Sequence, residues 1–135
     1  MDKGKVLELE NRVIPALSFE TIFRATPVGL FVSEERAISF DEWTVYGSAL
    51  QLGEHATPWL LGDWLNFGER EYGETYTQAI QTTGLGVQTL MDYKWVSSRV
   101  GITHRHELLS WTHHCLVAKM EANEQDRWLA LAEQG

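Results

Sequence analysis

Five side chains able to bind a metal or act as a nucleophile fall close together: His104, His106, His113, His114 and Cys115. Zinc takes such ligands, but no Cys-x-x-Cys or His-x-x-x-His pair is present. Adjacent His113 and His114 on a helix point about 100° apart, so one ion can hardly use both. Cys115 beside His114 fails as a thiol–base pair for the same reason, because sequence neighbours on a helix do not face each other. Asp63, Glu69 and Arg70 are acid–base types, yet Trp59, Trp64 and Phe67 around them fit a helix with one apolar and one polar face. There is no phosphate loop or nucleotide fingerprint. No metal, cofactor or enzyme activity is expected. Protonated histidines would add positive charge below neutral pH.

A different chemistry sits at Gln88, Thr89 and Asp92, on the early part of a predicted helix. Residues 76–95 carry the spacing of a helix-turn-helix at about 75–99. Ala79 and Ile80 stand where a first helix must approach a second closely. Gly84 stands at the turn, where a left-handed backbone is needed. Leu85 plugs the gap, and Leu90 and Tyr93 face inward. The other face presents Gly86, Gln88, Thr89, Met91, Asp92 and Trp95. In such motifs the early residues of the second helix enter the major groove. Gln88 suits adenine, Thr89 a base edge or phosphate, and Asp92 a cytosine amine. An ordinary helical hairpin with a glycine turn would share this spacing.

These residues need elements to hold them. A capping box at Ser39–Glu42 predicts a helix with Trp43, Tyr46, Ala49 and Leu50 on one face. Thr57-Pro58 reads as an N-cap and first residue of a second helix through Trp59, Leu60, Trp64, Leu65 and Phe67, unless the two are one helix kinked at Pro58. Helices are predicted at about 75–83, 86–99, 110–119 and 121–133. Residues 5–10 and 28–32 read as short strands. The segment between them is open. The fold class expected is mainly α, a helix-turn-helix DNA-binding domain with a small N-terminal β element. Residues 1–38 form a β-containing arm, possible in dimerisation, and 39–135 the helical domain.

The 135 residues suffice for one domain with its own core. A single cysteine excludes an internal disulfide framework. The first residues lack an apolar signal region, and no apolar run approaches the roughly 18 residues of a membrane span. A cytoplasmic protein with no membrane partner is the expectation. The net charge of −8 argues against simple nucleic-acid binding. Residues 75–119, however, hold four Lys/Arg against two Asp/Glu and four of the five histidines. The acid is concentrated at the two ends.

The stretch Trp59-Leu60-Leu61-Gly62-Asp63-Trp64-Leu65-Asn66-Phe67-Gly68-Glu69-Arg70-Glu71-Tyr72-Gly73 is distinctive. It is followed by Thr83-Gly84-Leu85, Gln88-Thr89-Leu90, Tyr93, Trp95-Val96, Leu109-Ser110-Trp111, His113-His114 and Glu124–Leu129. This order resembles the LmbU-like family of bacterial transcriptional regulators, over roughly residues 39–133. Residues 83–133 resemble, more distantly, the helix-turn-helix part of ParB-type partition proteins. The resemblance implies a regulator that binds promoter DNA through a central helix-turn-helix. The family often has a basic or amide-rich pair at Met91-Asp92 and an arginine run at Thr103–His106, so this chain has less positive charge there. Base contact is expected from Gln88, Thr89 and Asp92, and phosphate contact from Lys94, Arg99, Arg105, His113 and Lys119. A homodimer on a two-fold site in double-stranded DNA is expected, with the N-terminal strands and tryptophan-rich helices as its surface. The alternative is an adaptor or antirepressor that keeps the shape with weak or no DNA binding, favoured by the −8 charge and Asp92.

Overall fold

Ser39 opens a helix as its spacing predicts. Its hydroxyl accepts the Glu42 N–H at 3.1 Å, and the Glu42 carboxylate accepts the Ser39 N–H at 3.2 Å. The reciprocal cap satisfies two amides that the first turn leaves without partners. The computed structural model describes residues 3–11, 22–33, 37–52 and 58–135. In chain order these form α1 (Lys3–Asn11), β1 (Phe23–Thr26), β2 (Gly29–Val32), α2 (Phe40–Leu52), α3 (Pro58–Tyr72), α4 (Tyr76–Thr83) and α5 (Val87–Arg99). A 3-10 turn (Ile102–His104), α6 (Trp111–Val117) and α7 (Ala122–Glu133) follow. The described residues are mainly helical, with one small sheet.

The centre of the core is a reciprocal pair of tryptophans. Trp43 on α2 and Trp64 on α3 stack with centroids 4.2 Å apart and planes 8° from parallel. Each indole N–H donates to the other residue's backbone carbonyl at 2.9 Å. Each ring also lies where a side chain would otherwise be: a Cβ on Gly47 would collide with Trp64, and a Cβ on Gly68 with Trp43. The glycines let two helices approach at ring thickness, and the indole N–H groups are buried without being left unpaired. Leu50, Leu60, Leu65 and Leu90 surround the pair and are buried.

Two expectations for the N-terminal segment change. Residues 5–10, read as a strand, lie within α1. The alternation there was short, and Leu, Glu and Lys are all strong helix formers. Lys5 and Glu8 pair across one turn at 3.8 Å. Residues 29–32 are a strand as read, but the partner is β1, in the segment left open. The two pair antiparallel from Phe23↔Val32 to Thr26↔Gly29. Phe23 enters the core against Tyr46 and Phe67, at 4.7 and 4.9 Å between centroids. The hairpin and helices α2 to α5 therefore bury into one cluster, while Trp59, Val96, Val100 and Ala118 form a second against α6. Pro58 is the first residue of α3, where its missing N–H costs nothing. Thr57, read as the cap, lies outside the described residues, as does Phe19.

The tryptophan-rich helices do not offer their rings to a partner surface. Trp43 and Trp64 are wholly buried and Trp59 nearly so. The large apolar side chains that reach solvent include Leu7 on α1, Val45 on α2, Ile80 on α4 and Leu108 before α6, with others on α5, α6 and α7.

Candidate nucleic-acid interface

The turn between α4 and α5 is three residues, Gly84-Leu85-Gly86. Gly84 takes φ +75° and donates its N–H to Ile80 O at 2.8 Å. That left-handed step ends α4, and a Cβ there would cost energy. The buried Thr83 hydroxyl donates to Ala79 O at 2.8 Å and accepts the Leu85 N–H at 3.2 Å, which fixes the exit direction. Leu85 and Tyr93 pack at the edge of the core, and Leu90 is fully buried. Ala79 is buried at the close approach, while Ile80 is partly exposed.

Helix α5 turns Leu90, Val96 and Ser97 inward and leans on α3. Asn66 of α3 donates to Lys94 O at 3.0 Å. Its outer face carries Val87, Gln88, Met91, Asp92 and Trp95, all exposed. The Gln88 amide donates to Asp92 Oδ1 at 2.9 Å, one turn on. This bond leaves Gln88 with a second N–H and its carbonyl oxygen pointing at nothing within its own helix. Gly86 stands at the N-cap, and no side chain caps the first amides of α5. Thr89 is half-buried, in a groove shared with Tyr93, Trp111 and Cys115.

The residues expected to meet phosphate are dispersed. Lys94 is turned toward α3 and pairs with Glu69 at 2.8 Å. Arg99 closes the C-terminal end of α6: its guanidinium donates to Ala118 O at 2.9 Å and to Lys119 O and Met120 O at 3.3 Å. Lys119 is exposed beside it. His113 is exposed at the start of α6 and forms a second capping box, in which Ser110 accepts the His113 N–H and His113 Nδ1 accepts the Ser110 N–H. Ser110 was read only as part of a Leu-Ser-Trp motif.

Arg105 lies in the interior, only 6% exposed. All five of its N–H donors are engaged: Nε by Val100 O, Nη1 by Val28 O and Asp63 Oδ2, Nη2 by Asp63 Oδ1 and Ser97 O. Its Cζ lies over the Trp59 ring, 4.1 Å from the centroid. A phosphate contact from Arg105 would require breaking this network. Nothing in the charge count distinguished a buried arginine from an exposed one. The nearest signal was Asp63, a carboxylate among tryptophans.

The histidines divide in the same way. His114 is fully buried; its Nε2 accepts the His106 N–H at 3.0 Å, and Nδ1 faces Ser110 O at 2.7 Å. The ring is thus the neutral Nδ1–H form. Burial pushes its pKa down, outweighing the Ser110 carbonyl, which acts the other way. His104 and His106 pair with Asp126 and Glu133 of α7, each at 2.8 Å. Burial raises the Cys115 thiol, with Asp92 adding to the effect, the opposite of what a nucleophile needs. No group of three or more metal-ligating side chains occurs among the described residues. No helix among the described residues is long and apolar enough to cross a membrane.

The chain is similar to the transcriptional regulator NovE of Streptomyces niveus, with 36% identity over 111 residues. The match covers 77% of this chain and 51% of NovE, so the chain spans about half the length of that relative. No family model matches the chain, and no solved structure matches it.

Proposed function

We propose that the chain is a DNA-binding transcriptional regulator of the LmbU-like kind, in which α4 and α5 form a helix-turn-helix and α5 enters the major groove. The observation that carries this reading is the outward edge of Gln88, held by Asp92, on the helix that follows the Gly84 turn. A glutamine with one N–H and one carbonyl free matches the N7 acceptor and N6 donor of adenine. Asp92 then acts mainly by fixing that amide, which explains a carboxylate on a DNA-facing helix. Thr89 is the neighbouring base or phosphate contact. The open first-turn amides of α5, with Lys119, His113 and Arg99, supply contacts to the backbone. The similarity to a protein named as a transcriptional regulator supports the same role. A single motif buries little surface, so the reading includes a homodimer on half-sites about 34–36 Å apart.

Selection from a random duplex library tests it. Enrichment of an inverted repeat supports the reading, and failure to enrich any motif overturns it. The second reading, an adaptor on the same scaffold, is favoured by one specific observation: Lys94 and Arg105 are committed to protein carboxylates, while Val87, Met91 and Trp95 lie exposed on α5. A protein that folds but enriches no sequence would move the assignment there.

A further inference from the structure

We infer that the groove between α5 and α6 is a binding site for a small organic cation, an ammonium carried on a flat aromatic body. The inference goes beyond the DNA reading above and does not depend on it. The groove holds about 460 Å³, the size of a small-molecule site. Three rings line it: Tyr93 and Trp95 of α5 and Trp111 of α6. Tyr93 and Trp111 meet edge to face, with centroids 5.6 Å apart and planes at 80°, so two walls stand nearly at a right angle. Trp111 is backed in turn by the buried Trp59, at 4.6 Å and 74°. That corner is set before a ligand arrives. Trp95 is 48% exposed and keeps ring surface open to an occupant.

The sign of the occupant follows from Asp92, the one side chain ionised at neutral pH among the described residues that line the groove. Lys94, between Tyr93 and Trp95 in the chain, is turned away to Glu69 at 2.8 Å. Gln88 takes Oδ1 of Asp92, and Oδ2 has no partner among the described residues. The charge is felt across the groove, where, after burial, it helps to raise the Cys115 thiol of α6. A carboxylate beside the negative faces of aromatic rings attracts a cation and repels phosphate or carboxylate. The rings offer a flat body its stacking surface. Thr89 lines the same groove. Thr89 and Asp92 therefore serve both this site and the base-reading edge proposed above. Cation and duplex compete for them, and each lowers the other's affinity by the same factor.

Titration of the full chain with benzyltrimethylammonium, followed by the NMR signals of the indole N–H groups, is the test. The Trp95 and Trp111 signals should move with a Kd of about 1 mM or below, the scale of a small fragment. Phenylacetate, with the same ring and the opposite charge, should bind at least about tenfold more weakly. Asp92→Asn removes the charge and keeps an acceptor for Gln88. Trp95→Ala removes a ring that is already exposed. Each should keep the native circular dichroism and weaken the cation by about threefold or more. Signals that stay still at about 10 mM probe would overturn the site. So would phenylacetate binding equally well, or either folded variant binding the cation like wild type. With a duplex that the protein binds, saturating probe at constant ionic strength should raise the apparent Kd. A duplex unaffected by it would overturn the competition alone. A chain that binds the cation and no duplex would overturn the DNA reading and support the site.

Discussion

Arg105 and Asp63 meet in a two-pronged ion pair, at 2.7 and 2.8 Å, between the loop after α5 and the middle of α3. Asp63 Oδ2 also accepts the Leu30 N–H of the hairpin at 2.8 Å. Arg105 reaches back to Ser97 O and Val100 O at the end of α5. One buried pair thus ties the sheet, α3 and α5 together, and sets where α5 stands.

Removing one partner of such a pair leaves an uncompensated buried charge. Arg105→Ala should lower the unfolding free energy by about 3–5 kcal/mol, read by urea denaturation. Arg105→Lys should recover little, since an ammonium cannot supply five donors in a plane over Trp59. A loss under about 1 kcal/mol for Arg105→Ala would show that the pair is not held as described.

The glycines under the tryptophans give a second stability test. Gly68→Ala or Gly47→Ala forces a Cβ into the stacked indoles. Either should cost about 1–3 kcal/mol by overpacking. Tryptophan fluorescence should change as the stack opens. An alanine variant as stable as wild type would contradict the close approach.

His114 makes stability depend on pH. Its folded pKa lies below the unfolded value of about 6.5. Between the two values the unfolded chain binds the extra proton, so stability falls as pH drops below about 6.5 and levels off below the folded pKa. His114→Gln should flatten that part of the profile, at some cost in packing. The expectation that the clustered histidines add positive charge on acidification thus excludes His114, which is held neutral. Denaturation midpoints that stay constant from pH 7 downward would count against a buried neutral ring.

How far the residues alone revealed this fold follows from what each signal depends on. Ser39–Glu42, Gly84 and the helical periodicity of α2 to α7 are local, and they read correctly to within a residue or two. β1 was missed because Phe23–Thr26 is too short to show its own pattern and is defined by pairing with β2. α1 was misread because one pair of leucines two apart is too short a pattern to outweigh the helix propensity of Leu, Glu and Lys. The Arg105 and Lys94 partners lie 42 and 25 residues away in the chain. Sequence shows the charge, but only the fold shows whether it faces solvent. The Gln88–Asp92 bond has the spacing of one helical turn and was open to local reading, but each residue was considered singly.

Within the proposed interface, separate residues should give separate signatures. Gln88→Ala should cost about 1–3 kcal/mol on one base pair and relax the preference there. Asp92→Ala should produce a smaller version of the same change, through loss of the Gln88 restraint. Lys119→Ala should weaken all sequences alike and lower the salt slope by about 1. Arg99→Ala should also weaken all sequences, with a loss of stability, because its guanidinium closes α6. If Gln88→Ala and Lys119→Ala both bind like wild type, α5 is not the reading helix.

The most direct measurement of the central claim is fluorescence anisotropy of the purified protein against duplex DNA from upstream of its own gene, with scrambled duplex as competitor, from about 50 to about 200 mM salt. The account predicts binding that resists the scrambled competitor and falls steeply with salt, as phosphate contacts release counterions. No binding at the lowest salt by a correctly folded protein would contradict it.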